Sequence, residues 1–376
     1  MIPSLARTFA IALKEVQQML RDRLTVAMAV GVPIMQLILF GYAINTDPKG
    51  LPTAIVSQDA GPMARSLVAT LQTSGYFHVL ESGISEARGD ALLQRGDIQF
   101  LVVVPDDFGA RVVRGERPVV LIAADATDPS AAGNAIAALG QLNSTALARD
   151  LQGALASRAA APAPFEVRIQ RRYNPEGLSR YNIVPGLVGT ILTMTMVMLT
   201  ALAMTRERER GTMENLLATP VRPFEVMAGK ILPYIVLGYV QLGIILGAAF
   251  LLFNVPMVGS VTLLLAMIGV FMLANLGVGF TFSTLAANQL QALQLTFFFF
   301  LPSMLLSGFM FPFRGMPQWA QWLGEVLPLT HFLRIVRGVM LKGSGAAELL
   351  PELWPMLAFL VVAGGVALTR YKRTVD

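Results

Sequence analysis

The stretch NIVPGLVGTILTMTMVMLTALAM, residues 182–204, decides the fold class of this chain of 376 residues. It contains no charged side chain. An α-helix rises about 1.5 Å per residue, so about 20 apolar residues cross the hydrocarbon core of a bilayer. The stretch therefore predicts a transmembrane helix, which we place at 181–205. Five similarly apolar stretches predict five more spans, at 24–44, 225–253, 258–286, 290–311 and 348–369.

The composition agrees with a membrane protein. Hydrophobic residues make up 54% of the chain and charged residues 14%, whereas about a quarter of the residues of a typical soluble domain are charged. A single core could not bury so much apolar surface, which argues against a soluble enzyme or a DNA-binding regulator. Cysteine is absent and only two histidines occur. We therefore predict neither a catalytic site nor a metal site.

The basic residues beside the spans predict the orientation, because Lys and Arg accumulate on the cytoplasmic side of a membrane. If the spans alternate in direction, twelve basic residues share one side: Arg7, Lys14, Arg21, Arg23, Arg206, Arg208, Arg210, Arg222, Lys230, Arg370, Lys372 and Arg373. The opposite short segments carry four: Arg314, Arg334, Arg337 and Lys342. Both termini, including the tail 370–376, are thus predicted to be cytoplasmic. The net charge of +5 reports orientation, and no nucleic-acid partner is expected.

Residues 1–23 form a separate amphipathic element. Apolar residues recur in it at spacings of three or four, with basic residues among them. This pattern predicts a helix that lies on the inner surface of the membrane in contact with lipids. A solvated helix packed on a partner is the alternative.

The insertion at 45–180 has the composition of a soluble domain. Short β runs alternate with helical runs along it, which predicts an inserted extracytoplasmic α/β domain with a partly parallel sheet between the first two spans. We expect strands at 53–57, 77–81, 99–105, 118–125 and 165–173, and helices near 60–73, 84–95, 107–114 and 129–158. The fold class is therefore a polytopic α-helical membrane protein of six transmembrane helices, with an α/β extracytoplasmic domain inserted between helices 1 and 2.

The sequence contains no energy source for transport. The G-x-x-x-x-G-K-[ST] motif is missing, because Gly229 and Lys230 in MAGKIL lack the upstream glycine and the following Ser or Thr. Ion-driven carriers need carboxylates or histidines inside the bundle, and the apolar centres of the six spans contain neither Asp nor Glu. We expect the energy to come from another subunit. The alternatives are an ion-coupled secondary transporter and a non-transporting anchor that presents 45–180 as a sensor or scaffold.

The cytoplasmic loop 206–224 reads RERERGTMENLLATPVRPF. Gly211 breaks the charged helical end, and Thr212 is a suitable cap for a short second helix, near whose start Glu214 is favourable. We predict that this short helix docks a cytoplasmic partner, using Glu207, Glu209, Arg210, Gly211, Thr212, Met213, Glu214, Leu216 and Leu217. A connector lying on the membrane surface is the alternative.

The segment ERERGTMENLLATPV, residues 207–221, resembles the cytoplasmic-loop motif of ABC-2 type transporter permeases. The chain also resembles the multidrug-efflux branch of that family in FGYAIN (40–45), YNPEGLSRYNIVPG (173–186) and LPSMLLSGFMFPF (301–313). The resemblance thus covers nearly the whole chain.

This resemblance implies a permease of the bacterial inner membrane that exports hydrophobic or amphipathic compounds, drugs included. It implies a second permease chain, in a homodimer or heterodimer, and a separate ATPase that binds ATP and Mg²⁺ and engages Gly211–Leu217. The chain itself would then be no enzyme and would hold no cofactor. A periplasmic adaptor is a further partner that the resemblance suggests.

Two spans carry candidates for contact with the transported compound. The second span has small residues and methionines on neighbouring stripes, and the fifth has consecutive phenylalanines before a proline. Adaptable apolar surfaces of this kind tolerate many ligands. The candidates are Thr190, Thr193, Met194, Val197, Phe297, Phe298 and Leu301. The alternatives are close helix packing for the second span and lipid-facing or core aromatics for the fifth.

The outer segment 312–347 is predicted to be a re-entrant pair of short helices divided at Pro328. His331, Arg334 and Arg337 share a helical face in it, and we consider them candidates for an outer gate. The alternatives are contact with lipid phosphates and pairing with Glu325.

Two of the spans contain a polar amide side chain in an otherwise apolar stretch. Asn275 and Gln294 are expected to hydrogen-bond between helices.

Overall fold

The computed structural model describes residues 49–152, 155, 163–209 and 223–375. The predicted amphipathic helix 1–23, the first predicted span 24–44 and the loop residues 210–222 lie outside the described residues. The described part of the chain forms an α/β domain followed by a set of long helices.

A mixed five-stranded sheet organises the α/β domain. Its strands are β1 Leu51–Ser57, β2 Phe77–Ser82, β3 Phe100–Val104, β4 Val119–Asp125 and β5 Glu166–Arg172. They lie in the order β2-β1-β3-β4-β5. β1 is parallel to β2 and β3, β4 is antiparallel to β3, and β5 is parallel to β4. The sheet is partly parallel, as the alternation of strands and helices predicts.

Helices cover both faces of this sheet. They are α1 Pro62–Thr73, α2 Glu86–Arg95, α3 Phe108–Arg114 and α4 Pro129–Thr145. Successive side chains of a strand point to opposite faces. Accordingly, Phe100 and Val102 of β3 belong to the core that α1, α3 and α4 complete, whereas Leu101 packs with Leu92 and Leu93 of α2. The central strands are apolar throughout because both of their faces are buried.

The Ala-rich helix is shorter than predicted. It was expected to reach residue 158, but α4 ends at Thr145 and the chain continues as turns through residue 150. The hydrogen bond from Ala148 N to Thr145 O spans three residues rather than four. Asn143 and Thr145 are of residue types whose short polar side chains compete for backbone hydrogen bonds. Leu147 and Leu151 still reach the core after the helix has ended.

Five long helices follow the domain, and all five are long and apolar enough to cross a membrane. They are α5 Ser179–Glu209, α6 Pro223–Leu251, α7 Val261–Leu285, α8 Gln289–Leu306 and α11 Ala346–Val375. Each lies on one of the predicted apolar stretches. The described part of the protein is thus a membrane helical protein of several spans, and the remaining predicted span falls on residues 24–44.

The fifth predicted span ends earlier than the sequence suggested. We expected it to run to residue 311, but α8 ends at Leu306. The cause is Gly308, which has a φ of +82°, a left-handed conformation that breaks a helix and that glycine adopts readily. The chain turns there towards the outer segment.

Helix α7 lies at the centre of the bundle and contacts α5, α10 Pro328–Arg337 and α11. Two glycines of α7 permit close approaches. A Cβ atom on Gly279 would lie 2.7 Å from the carbonyl oxygen of Val197, and one on Gly277 would lie 3.4 Å from the Cβ atom of Ala363. The pair Gly277 and Gly279 is therefore a packing feature, as its position inside a span suggests.

The outer segment contains two short helices, α9 Gln318–Val326 and α10 Pro328–Arg337, followed by a π-helical turn Gly338–Lys342. Leu327, in an extended conformation, and Pro328 divide the two helices, as predicted. Most of α10 is buried, including Leu329, Phe332 and Leu333. This helix packs on α5, α7 and α11, so it closes the end of the bundle that lies next to the α/β domain.

Candidate functional site

The end of α5 is joined to the start of α8. The Glu209 carboxylate accepts hydrogen bonds from the Gln289 backbone N–H at 2.8 Å and from Gln289 Nε2 at 2.5 Å. Arg206 Nε donates to Gln289 Oε1 at 3.4 Å. A helix N-terminus carries a partial positive charge, which the carboxylate complements. We refer to these contacts of Glu209 and Arg206 with Gln289 as the inner joint.

The inner joint includes one of the predicted coupling residues. Glu209 is part of it, and for Glu207 the structure describes only the helical backbone. Arg210, Gly211, Thr212, Met213, Glu214, Leu216 and Leu217 lie outside the described residues. An open depression of about 380 Å³ lies beside the joint, lined by Glu209 and residues 284–287. Gln289 was not predicted from the sequence. The available signal was the preceding Asn288, whose side chain caps α8 by accepting from the Gln291 backbone N–H at 2.9 Å.

The candidates in the second span are largely buried within the chain. Thr190 and Thr193 are at most 4% exposed and Val197 is fully buried, while Met194 is half-buried. The glycines of this stripe are also in contact: a Cβ on Gly186 would meet the ring of Phe309, and one on Gly189 would meet Leu329 and Phe332. Close helix packing, the alternative considered for this stripe, therefore describes it within a single chain.

The candidates in the fifth span lie on a different surface. Phe297 and Phe298 are 42% and 40% exposed, and Leu301 is half-buried. Helices α5 and α8 pack against each other. Within this chain, however, the candidate threonines of α5 are buried, whereas the two phenylalanines of α8 are exposed. The structure does not bring these two sets together.

Polar groups inside the spans are only partly paired. The prediction that Asn275 hydrogen-bonds between helices is wrong, because its Nδ2 donates to the Phe271 carbonyl of the same helix at 2.9 Å. Within the described residues, Thr193 Oγ1, Asn275 Oδ1 and Gln294 Oε1 are buried without a hydrogen-bond partner. The acceptor that Asn275 uses lies one turn earlier in its own helix, and Asn side chains commonly form such local bonds to the backbone.

Two of the three outer-gate candidates belong to one ionic network. His331 Nδ1 lies 2.6 Å from Glu352 Oε2, and His331 Nε2 lies 2.8 Å from the Glu325 carbonyl oxygen. Arg334 donates to the carboxylates of Glu325 at 2.6 Å and Glu352 at 3.2 Å. Pairing with Glu325, the alternative considered for this face, is therefore confirmed for Arg334. The participation of Glu352 was not predicted, because it belongs to a different helix, α11, whose packing on α10 the sequence does not show.

Arg337, the third candidate, lies apart from this network. Its Nη2 donates to the carbonyl of Gly308 at 3.2 Å, and burial lowers the pKa of its guanidinium. Burial also acts against the charge of Arg334, but the bonds to Glu325 and the attraction of Glu352 outweigh it and raise the Arg334 pKa. Arg334 also lies over the ring of Phe313, at 4.7 Å from its centroid.

A second polar cluster ties the outer segment to the α/β domain. Lys342 Nζ lies 2.5 Å from Asp125 Oδ2, and both side chains are less than 10% exposed, at 9% and 8%. Lys342 also lies 5.2 Å from the ring centroid of Tyr173, and Arg314 donates to the Gly96 carbonyl at 3.0 Å. Burial, followed by the charge of Asp125, raises the pKa of Tyr173 to about 12. We call the contact of Lys342, Asp125 and Tyr173 the domain clamp.

Comparison with known proteins assigns this architecture to a family. Residues 23–369 match the ABC-2 family transporter protein. The chain therefore belongs to the ABC-2 transporter family, as the motif in the cytoplasmic loop suggested.

Several bacterial relatives match over their full length. The probable multidrug ABC transporter permease YbhS of Escherichia coli (strain K12) is 30% identical over 380 residues, which cover 100% of this chain and 99% of YbhS. The probable multidrug ABC transporter permease YbhR of the same organism is 28% identical, over 98% of this chain and 99% of YbhR. The inner membrane transport permease YhhJ, also of this organism, is 28% identical over 99% of this chain and 98% of YhhJ. The similarity thus includes the α/β domain as well as the helices.

Proposed function

We propose that this protein is the permease subunit of an ABC exporter that moves hydrophobic or amphipathic compounds, drugs included, out across the bacterial inner membrane. The observation that carries the proposal is the similarity, over 98–100% of the chain, to two proteins whose names read probable multidrug ABC transporter permease. Hydrolysis of ATP with Mg²⁺ belongs to a separate ATPase subunit. In this proposal the chain itself is a transport permease and catalyses no reaction.

The topology we propose has six spans, with the first at 24–44 and the α/β domain at 45–180 inserted before the second. Both termini are cytoplasmic and the domain is periplasmic. Two contacts support this arrangement. The domain clamp and Arg314 hold the outer segment against the domain, so the two share one end of the bundle. The inner joint lies at the opposite end of α5, beside the basic loop that the distribution of Lys and Arg assigns to the cytoplasm.

In the mechanism we propose, the ATPase docks on the loop 206–217 and its closure pushes on α5. Helix α5 has 31 residues and is therefore about 46 Å long, longer than the hydrocarbon core. The inner joint transfers the movement from Glu209 to the start of α8. A change in the angle between α5 and α8 then alternates access to a cavity between two permease chains, with Thr190, Thr193, Met194, Val197, Phe297, Phe298 and Leu301 as candidate lining residues.

The outer end responds as one body in this mechanism. Because the domain clamp fixes Lys342 of the outer segment to Asp125 of the domain, we expect the domain to follow α9, α10 and α11 when the outer face opens. The domain would guide release of the compound or dock a periplasmic adaptor. The exposed rings of Phe297 and Phe298 are available either to the second permease chain or to lipids.

The test is transport by the reconstituted complex. The permease is co-purified with the ATPase that accompanies it from native membranes, and uptake of a fluorescent amphipathic cation into inside-out proteoliposomes is measured with ATP and Mg²⁺. We expect uptake to stop when the catalytic Glu of the ATPase is replaced by Gln. Uptake that persists in this variant, driven by an ion gradient alone, would overturn the proposal in favour of a secondary transporter.

A further inference from the structure

The imidazole of His331 lies between two hydrogen-bond acceptors. Its Nε2 is 2.8 Å from the backbone carbonyl oxygen of Glu325, and its Nδ1 is 2.6 Å from a carboxylate oxygen of Glu352. A carbonyl oxygen only accepts, so Nε2 must carry a hydrogen. A neutral imidazole has one N–H, and Nδ1 would then present a lone pair to a carboxylate lone pair at 2.6 Å. A neutral histidine and an ionised glutamate together carry one proton too few for this contact. Either the imidazole or the carboxylate must hold an additional proton.

The charged side chains that directly face His331 favour the additional proton. Arg334 donates to Glu325 and to Glu352, and Glu325 Oε2 lies 3.7 Å from His331 Nε2. With His331 protonated, two cations face two carboxylates and the cluster is neutral. Without the proton, two carboxylates share one arginine around a ring whose side chain is only 5% exposed. Burial makes such an unbalanced charge costly.

The elements packed on α10 carry further charges. Helices α7 and α8 contain no charged residue, and α5 has charged residues only at its ends, while Lys342 of the π-helical turn is paired with Asp125. Arg337 and Arg314 donate to the carbonyl groups of Gly308 and Gly96, which leaves their charges uncompensated, and both repel Arg334. Glu348, one turn before Glu352 on α11, accepts from the Gly345 N–H. The proton at His331 therefore rests on its two direct contacts, with the Glu352 carboxylate and the Glu325 carbonyl, and not on the net charge of this region.

We propose that His331 and Glu352 form a proton-binding site, which holds one proton between them while α10 is packed on α11. Separation of these helices exposes both groups to water and releases the proton. Since the packed state binds more protons, it is favoured as the pH falls and is lost as the pH rises. The site goes beyond the proposed function, because it is a property of the chain itself, whatever compound is exported.

The experiment uses the scarcity of histidine in this chain. His78, on β2, is the only other histidine, so His78→Gln leaves His331 alone. The full-length chain is labelled with ¹⁵N-histidine, purified in nanodiscs and studied by ¹⁵N NMR near pH 7.5, with infrared spectra to detect a protonated carboxyl. We expect two protonated imidazole nitrogens. In Glu352→Gln, the amide can donate to Nδ1, and we expect one bare nitrogen instead.

Glu325→Gln is the matched control. It removes the carboxylate 3.7 Å from Nε2 but keeps the backbone carbonyl that accepts from it, so His331 should stay protonated. A neutral imidazole in the parent chain, together with a carboxyl band that Glu352→Gln abolishes, also supports the site, because the pair still holds the proton. An unprotonated ring nitrogen of His331 in the parent chain, without an infrared band from a protonated carboxyl group, would overturn the proposal. The parent chain alone decides this if Glu352→Gln does not fold.

The release of the proton is tested by accessibility. Met356 of α11 is fully buried, and the chain has no cysteine, so Met356→Cys introduces a single thiol. We expect its labelling by a membrane-impermeant maleimide to rise several-fold between about pH 6.5, the ordinary pKa of histidine, and about pH 9. The intrinsic pH dependence of the reaction is corrected with Ala346→Cys, an exposed position at the start of α11 that precedes the predicted span 348–369. His331→Gln should abolish that rise. A rise of equal size in both backgrounds would overturn the link between the proton and helix packing. Neither readout depends on transport, so failure here is distinguishable from failure of the proposed function.

Discussion

Asp125 and Lys342 are 217 positions apart in the chain, and their side chains meet at 2.5 Å in a site that is nearly inaccessible to solvent. Asp125 ends the strand β4, and its other carboxylate oxygen accepts from the backbone N–H and the hydroxyl of Thr127. Lys342 ends the π-helical turn. The α/β domain and the helical bundle are thus connected through a buried charge pair.

Replacing Lys342 by Met should destabilise the protein by about 3–5 kcal/mol, because it leaves the Asp125 carboxylate buried without its partner. Thermal unfolding of the purified full-length chain in detergent measures this. Arg168→Met is the control, since the Arg168–Glu166 pair is exposed, and it should leave the unfolding temperature almost unchanged. An equally small effect of both substitutions would mean that the clamp does not hold the domain.

Replacing Glu209 by Ala should slow transport by about 2- to 5-fold, as expected for the loss of about 0.3–1 kcal/mol of stabilisation at the start of α8. Glu209→Gln keeps an acceptor for the Gln289 N–H and should have a smaller effect. The ATPase should co-purify equally with all three proteins, because Gly211–Leu217, the segment that the family resemblance assigns to the ATPase, is unchanged and the Glu209 carboxylate is engaged by Gln289. If instead Glu209→Ala loses the ATPase, Glu209 contacts that partner directly and the inner joint is not its main role.

Replacing Gly279 by Ala should cost about 1–3 kcal/mol, because the new methyl group would lie 2.7 Å from the Val197 carbonyl and the helices would have to separate. Gly243→Ala, in α6, is the matched control, since nothing lies within 4 Å of the added atom. That change should be neutral or stabilising. Unfolding temperatures of the two variants in the same detergent decide the question, and equal values would contradict the packing described here.

The pKa of Tyr173, raised to about 12, predicts a sensitivity to alkali. A phenol titrates near 10 in an unfolded chain, so the folded state binds this proton more tightly. The resulting stability is complete below about pH 10 and is lost as the pH rises towards 12. Tyr173→Phe cannot ionise, and its unfolding temperature should fall less between pH 10 and pH 12. A parallel fall in both proteins would mean that Tyr173 is not buried in the clamp.

The helices and strands followed closely from the sequence because their signals are local. The strand Phe100–Val104 is a short run of β-branched and aromatic residues, and α7 is a long apolar stretch without a charge. The end of α4 at Thr145 could not be predicted from the sequence, because Leu147 and Leu151 continue the apolar pattern of the helix although the backbone there is no longer helical.

The candidate sites were less predictable because their partners come from distant segments. His331 and Arg334 were identified by their shared face, but the position of Glu352 depends on how α11 packs on α10. The threonines of α5 were candidates on the basis of spacing alone. Whether they face a partner helix or a cavity depends on the neighbours, and Phe309, Leu329 and Phe332 belong to segments more than a hundred residues away.

The single proline of α5 limits where this long helix can bend. Pro185 lies within the helix, and because it has no N–H it removes one backbone hydrogen bond from the outer turns. From there to Glu209 the helix contains no second proline. A sideways displacement applied at Glu209 is therefore carried by a stiff rod, and the compliance is concentrated at Pro185, next to the contact of Gly186 with Phe309. The largest local distortion is expected at the end of the helix farthest from where force is applied.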